Sequence, residues 1–213
     1  MEVLFENLIQ NGVPRETVVT LLMFPLIAAI IVTARQIIGI KGFGIYTPLI
    51  ITLAFLQSGF KYGAFIFLFA LIVSSTVRWI LKTFRMLYLP KMALILSITA
   101  LSFYPVLYVG TLTNSTVFVQ TSVYILLIII TLIEKFISVQ LEKGFHRALT
   151  MAIETFILSS IGYFIVSWSY FQGIIFHNPI LIVLFFVLII FLGQYDGLRL
   201  KEYFRFRHLL RNM

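Results

Sequence analysis

Residues 39–55 read GIKGFGIYTPLIITLAF, three glycines and a proline set against an apolar run that is broken again at Gly59. Thr47 before Pro48 predicts a helix start, with threonine as the capping residue and proline in the first turn. Residues 39–46 are then expected to be non-helical, at or just below membrane depth. Lipid satisfies no backbone N–H or C=O, so irregular backbone there must be buried in protein or line a wet cavity. Two readings of the turn stand side by side. In one, the free amides at the helix start face the cytoplasm, and with Lys41 and Arg35 they form a mouth for a carboxylate or phosphate, Gly42 and Gly44 permitting close approach. In the other, the glycines only let the flanking helices pack tightly.

The rest of the chain makes membrane depth the relevant scale. Of 213 residues, 61% are hydrophobic and 11% charged, against about 25% charged in soluble domains; the mean hydropathy is +1.05. Apolar runs between charged punctuation predict seven spans, near 17–34, 45–60, 62–80, 91–110, 117–134, 149–168 and 178–193. Each reaches or approaches the ~18 apolar residues that cross a bilayer, except the second, whose helix from Pro48 to Gly59 covers only about 18 Å. The expected architecture is therefore an all-α polytopic membrane protein. Residues 1–16 form an amphipathic segment on the outer surface, 17–193 the seven-helix domain, and 194–213 a basic and aromatic tail on the inner surface. The acidic start, MEVLFENLIQ, differs from the basic opening of a secretory signal, so the first run is expected to be a retained span.

Cation placement sets the orientation. With seven crossings, Arg35, Lys41, Arg78, Lys82, Arg85, Lys91, Lys135, Lys143, Arg147, Arg199, Lys201, Arg205, Arg207 and Arg211 share one side, and Arg15 and Lys61 the other. That is fourteen against two, which puts the N-terminus outside and the C-terminus inside. A re-entrant second segment gives thirteen against three, only slightly worse. The connections 111–116 and 169–178 are read as short, uncharged outer loops. In the tail, Arg199, Lys201, Arg205, Arg207 and Arg211 are candidate contacts to anionic lipid; juxtamembrane basic residues of this kind do not call for nucleic acid. A faint echo pairs Thr47 with Thr150, Ile50 with Ile153, Thr52 with Thr155 and Gly59 with Gly162, and suggests a 3+1+3 arrangement of parallel repeats.

Glu154 lies inside the run LTMAIETFILSSIGYF, where an ionised side chain costs at least about 2.5 kcal/mol unless paired or hydrated. Arg35, Arg78 and Lys135 are candidate partners, and Glu134 closes the fifth span nearby. Glu154 is read either as a proton-coupling or substrate-binding group or as half of a buried pair that fixes helix packing. The inventory for catalysis is poor. His146, His177 and His208 sit in separate loops, which suggests no metal or cofactor site, Ser159 and Ser160 have no evident base, and the chain is expected not to be an enzyme. The absence of cysteine excludes disulfide and thiol chemistry.

The runs RQIIGIKGFGIYTPLIITLAF (35–55), YLPKMALIL (88–96), TLIEKF (131–136), VQLEKG (139–144) and LGQYDGLRLKEYFRFR (192–207) resemble, in order and spacing, the bacterial seven-helix membrane domain usually fused behind an inactive transglutaminase-like domain. The resemblance implies seven spans with the N-terminus outside, in the bacterial cytoplasmic (inner) membrane. It also implies association with cytoplasmic ATP-grasp ligases of the glutamate-ligase type. This chain begins just before the first helix, so what a transglutaminase-like domain contributes is expected either to be absent or to come from another protein. Residues 39–96 are more faintly similar to the small membrane subunit of poly-gamma-glutamate synthases.

Three functions follow. The first is a non-enzymatic subunit that docks such a ligase and accepts or exports its anionic product, with Arg35, Lys41, Gly42, Gly44, Thr47, Glu134 and Glu154 as candidate residues. The second is a self-sufficient secondary transporter of a small anion or peptide using Glu154, and the third is a passive scaffold or anchor. The topology is open to a direct test. Single cysteines at Lys41→Cys and Lys82→Cys are expected to react with a membrane-impermeant maleimide from the same face, and labelling from opposite faces excludes the seven-crossing arrangement, in which two full crossings lie between them.

Overall fold

A computed structural model of the protein describes residues 11–12, 14–112, 122–178 and 180–194. Among them the regular structure is entirely helical: α1 (Arg15–Thr33), α2 (Tyr46–Ser58), α3 (Phe60–Leu81), α4 (Tyr88–Leu112), α5 (Ser122–Lys143), α6 (Phe145–Ser167), α7 (Ser169–His177) and α8 (Ile180–Gly193). Among the described residues a helix overlaps each of the seven expected spans. Four stretches are long and apolar enough to cross a membrane, Thr17–Ile38, Phe60–Leu81, Tyr88–Val106 and Phe145–Ser167, or five if the bent pair α7 and α8 counts as one span. The chain is an all-α, multi-pass membrane protein.

Two expectations are corrected. Residues 169–178, read as a loop, are mostly the helix α7. The segment follows Trp168, is itself largely apolar and aromatic, and is tied to the end of α6 by Gln172, whose Nε2 donates to the Val166 carbonyl at 2.9 Å. The first span also continues past residue 34: Ala34–Ile38 form a π-helical turn that ends at Gly39, whose φ of 88° is left-handed. Thr33 Oγ1 donates to the Ala29 carbonyl at 2.7 Å just before this widening, and threonine back-bonding of this kind bends helices. Of the expected outer segment 1–16, residues 1–10 and 13 lie outside the described residues, as does the expected tail 194–213 from residue 195 onward.

The chain forms two compact units, residues 1–41 with 161–213, and residues 42–160. In the first, α7 and α8 pack on α1, whose Met23, Ile27 and Ile31 are fully buried. In the second, α5 touches α2, α3 and α4, and the core is built from Ile51, Phe55, Ile66, Phe67, Ile95, Leu132 and Phe136, none more than 1% exposed. Its large outward apolar side chains, such as Leu68, Ile72, Leu101 and Ile153, suit contact with lipid rather than water.

Gly59 alone connects α2 to α3, with φ 76° and ψ 150°. Phe55 and Gly63 are eight residues apart, a separation of about 12 Å along a continuous helix. Here they touch: a Cβ on Gly63 would collide with Phe55 Cδ1, lie 2.9 Å from its Cε1, and lie 3.0 Å from Ser58 Oγ. The chain therefore doubles back at Gly59, and Gly63 is the space into which the Phe55 ring fits. The ring is held edge-on to Phe60 at 5.8 Å and to Phe156 at 6.1 Å between centroids. Gly63→Ala is expected to cost about 1–3 kcal/mol of stability through overpacking. Gly173→Ala, which meets nothing within 4 Å, is expected to be neutral or slightly stabilising. Thermal unfolding of the two variants in detergent distinguishes a steric need for glycine from a general intolerance.

Candidate functional site

The glycine turn lies against α6, and the backbone groups it exposes are taken up by side chains of that helix. The Gly42 N–H donates to Glu154 Oε2 at 3.0 Å. The next amide, Phe43 N–H, donates to Thr155 Oγ1 at 2.9 Å, and that hydroxyl in turn donates to the Met151 carbonyl at 2.7 Å. Gly42 has φ +45° and Gly44 +81°, a left-handed backbone that L side chains rarely adopt. A Cβ at Gly42 would also sit 3.2 Å from Thr155 Oγ1. Glycine thus supplies both the turn and the room for the two amides to meet the two side chains.

The seam continues along α2. Ser159 Oγ lies 3.0 Å from the Pro48 carbonyl and 2.9 Å from the Thr155 carbonyl, sharing one proton between them. Thr52 Oγ1 is similarly placed, 2.8 Å from the Pro48 carbonyl and 3.3 Å from the Ser159 carbonyl. Thr52, Thr155 and Ser159 are each 0% exposed. Contacts advance together along both strands of chain, from 42 and 154 to 52 and 159, so α2 and α6 run in the same direction. The two segments of the faint sequence echo are these two neighbours. Phe43 closes the far side with an edge-on contact to Phe136 of α5, 6.4 Å between centroids.

Among the expected site residues, the structure brings Gly42 and Glu154 into direct contact. The amide that the sequence offers to an anion holds the chain's own carboxylate. Gly44 shapes the same turn. Thr47 is corrected as the capping residue: α2 already begins at Tyr46, its flanking residue is Ile45 with helical angles (φ −93°, ψ −41°), and no side chain caps it. Thr47 instead lies buried in the first turn, 3% exposed. Glu134 is a surface residue of α5, its carboxylate 3.3 Å from Lys135 Nζ with both side chains about half exposed, a pairing that contributes little. Arg35 is half-buried on the π-helical turn and Lys41 is exposed. Arg78 Nη2 donates to the Gln140 carbonyl at 3.3 Å. The basic tail residues Arg199, Lys201, Arg205, Arg207 and Arg211 lie outside the described residues. Thr155 and Ser159, which complete the seam, were not singled out as site residues by sequence; the only signal was a cluster of small hydroxyl residues around Glu154 in an otherwise apolar run. Among the described residues no three His, Asp or Glu side chains gather as metal ligands.

A carboxylate and a hydroxyl on one helix, receiving two successive amides of a glycine turn beside a proline-containing helix, define a polytopic membrane domain held together by polar contacts between its helices. The chain belongs to the family described as seven transmembrane helices usually fused to an inactive transglutaminase, which it matches over residues 8–210. No curated protein and no solved structure matches it.

The seam makes an ordered set of outcomes. Glu154→Gln keeps an acceptor for the Gly42 amide but loses the charge, and is expected to cost about 1 kcal/mol, the difference between charged and neutral hydrogen bonds. Glu154→Leu leaves that amide unsatisfied and is expected to cost about 1–3 kcal/mol. Trypsin cleavage after the exposed Lys41 reports the loosening, fastest in the leucine variant. Equal cleavage in all three proteins excludes the carboxylate as what holds the turn.

Proposed function

We propose that this chain is a non-enzymatic membrane subunit whose basic, cytoplasm-facing side docks an ATP-grasp-type peptide ligase and receives its anionic product. The observation that carries the reading is the connection between α3 and α4. Residues 82–90 are all exposed, and with the end of α3 they present Lys82, Arg85, Trp79, Phe84 and Leu87. Arginine and large aromatic residues are the anchors that interfaces favour. The cations suit an acidic partner and speed its encounter. The family's usual fusion to an inactive transglutaminase fits a role in assembly rather than catalysis, and the ligase is the partner class that the sequence resemblance implies. The glycine turn has a supporting part in this reading, because its first amide already holds Glu154 and so serves the rigidity of the domain.

A transporter reading is favoured by one feature. Glu154 is only half-buried, so a carboxylate resting on a loop amide at that depth is a group whose protonation would release the turn. The two readings separate experimentally. Under the docking reading, a ligase copurifies with the chain from its native host in mild detergent, and Arg85→Glu with Phe84→Ala lowers its recovery at least tenfold while Glu154→Gln leaves it unchanged. Recovery of no ligase, together with pH-dependent uptake into vesicles that Glu154→Gln abolishes, replaces it with the transporter.

A further inference from the structure

We propose that a cleft at the ends of α3, α4 and α5 binds a phosphate ester that carries a free hydroxyl group, the chemistry of a phosphoglycerol headgroup. The cleft has a volume of about 560 Å³ and is lined by Arg78 of α3, Lys82 just beyond that helix, Lys91 of α4 and Gln140 of α5, with Trp79 and Phe145 at its apolar edge. This is the size of a small-ligand site. Three cations meet there and no acidic side chain lines the cleft. Elsewhere on the same unit a cation stands beside a carboxylate, as Lys135 does beside Glu134. The bond from Arg78 to the Gln140 carbonyl anchors one end of the guanidinium and leaves its other donors for a ligand.

Gln140 narrows the chemistry. The residue is only 6% exposed, and its side-chain Oε1 is buried with no hydrogen-bond partner among the described residues. A buried acceptor without a donor is costly. Phosphate oxygens accept and do not donate, so an anion alone would satisfy the cations and leave Gln140 unpaired. A hydroxyl next to the phosphate supplies the missing donor. The same ligand chemistry has two sources, a glycerol-phosphate lipid or soluble glycerol 3-phosphate. The apolar edge, with Trp79 76% and Phe145 48% exposed, leaves space beside the cleft for acyl chains. The cleft shares Lys82 and Trp79 with the face assigned to docking, whereas Arg85 and Phe84, the positions that test docking, do not line it, so the two proposals are tested separately.

Native mass spectrometry of the intact protein, with phosphatidylglycerol competing against phosphatidic acid and phosphatidylcholine, tests it. Phosphatidylglycerol is expected to be retained over both. Each juxtamembrane cation contributes ~1 kcal/mol to anionic-lipid binding, so Arg78→Gln with Lys91→Gln is expected to weaken retention of both anionic lipids about 30-fold. Gln140→Leu is expected to abolish only the preference for phosphatidylglycerol over phosphatidic acid. Lys82→Gln, an exposed position, carries the test if the double variant does not fold, and is expected to lower retention about fivefold. Displacement of phosphatidylglycerol by millimolar glycerol 3-phosphate identifies the soluble ester as ligand, and resistance to it identifies the lipid; either upholds the site. Equal retention of phosphatidylglycerol and phosphatidylcholine, or retention unmoved by the cation variants, overturns it. Equal retention of phosphatidylglycerol and phosphatidic acid by the unaltered protein overturns the role given to Gln140.

Discussion

The fold of residues 42–160 depends on satisfying the amides of one glycine turn, whose left-handed backbone cannot pair them within a helix. Gly42 and Phe43 present consecutive N–H groups, and Glu154 and Thr155 receive them from consecutive positions on α6. The pairing is mutual, because each partner solves the other's difficulty. A carboxylate inside an apolar helix requires donors, and the buried amides of an irregular turn require acceptors. Neither segment is stable there alone, so the contact joins parts of the chain 112 residues apart and specifies which helices are neighbours.

The remaining packing extends from that contact. Below the turn, Pro48, Thr52 and Ser159 carry a seam in which small hydroxyl residues let two backbones approach, the usual device of helix association in lipid. Their hydroxyls also bond to carbonyls one turn earlier on their own helix, so each is satisfied whether or not the neighbouring helix moves. The aromatic cluster of Phe55, Phe60, Phe67 and Phe156 then fills the space above, with Phe67 and Phe156 centroids 5.2 Å apart. Shape is supplied by rings and polarity by the seam, and the two meet on α6, which carries Glu154, Thr155, Phe156 and Ser159 within two turns.

Much of this was legible in the chain before any coordinates. Charged residues punctuate the apolar runs clearly enough to mark an all-helical, multi-pass membrane chain, and the cost of an ionised group in lipid marks Glu154 as a residue that needs compensation. The glycine spacing likewise marks residues 39–46 as a special turn, one residue longer than the observed one because α2 already begins at Tyr46. That the Gly42 amide is among the groups that meet Glu154 was not legible, because a backbone amide has no letter of its own. Thr47 was misread for a local reason: threonine before proline is a good cap in isolation, yet here the angles of Ile45 already continue the helix and Thr47 is needed inside. Helix α7 was hidden because a short, uncharged segment between two spans looks like a loop until its packing on α1 and α8 is known. The cleft bounded by Gln140 depends on three helix ends converging, which no linear pattern encodes.

The brevity of α2 bears on the bilayer itself. Thirteen residues rise about 20 Å, well short of the ~30 Å hydrocarbon layer, and Gly59 turns the chain back at once with Lys61 two residues beyond. Lys61 must reach water, by extending its alkyl stem along the surface of the protein or by drawing the headgroups inward. Such mismatch is accommodated by local thinning of the lipid at a modest cost per ångström. A helix of this length would join the two surfaces of a bilayer only where the hydrocarbon layer is locally compressed.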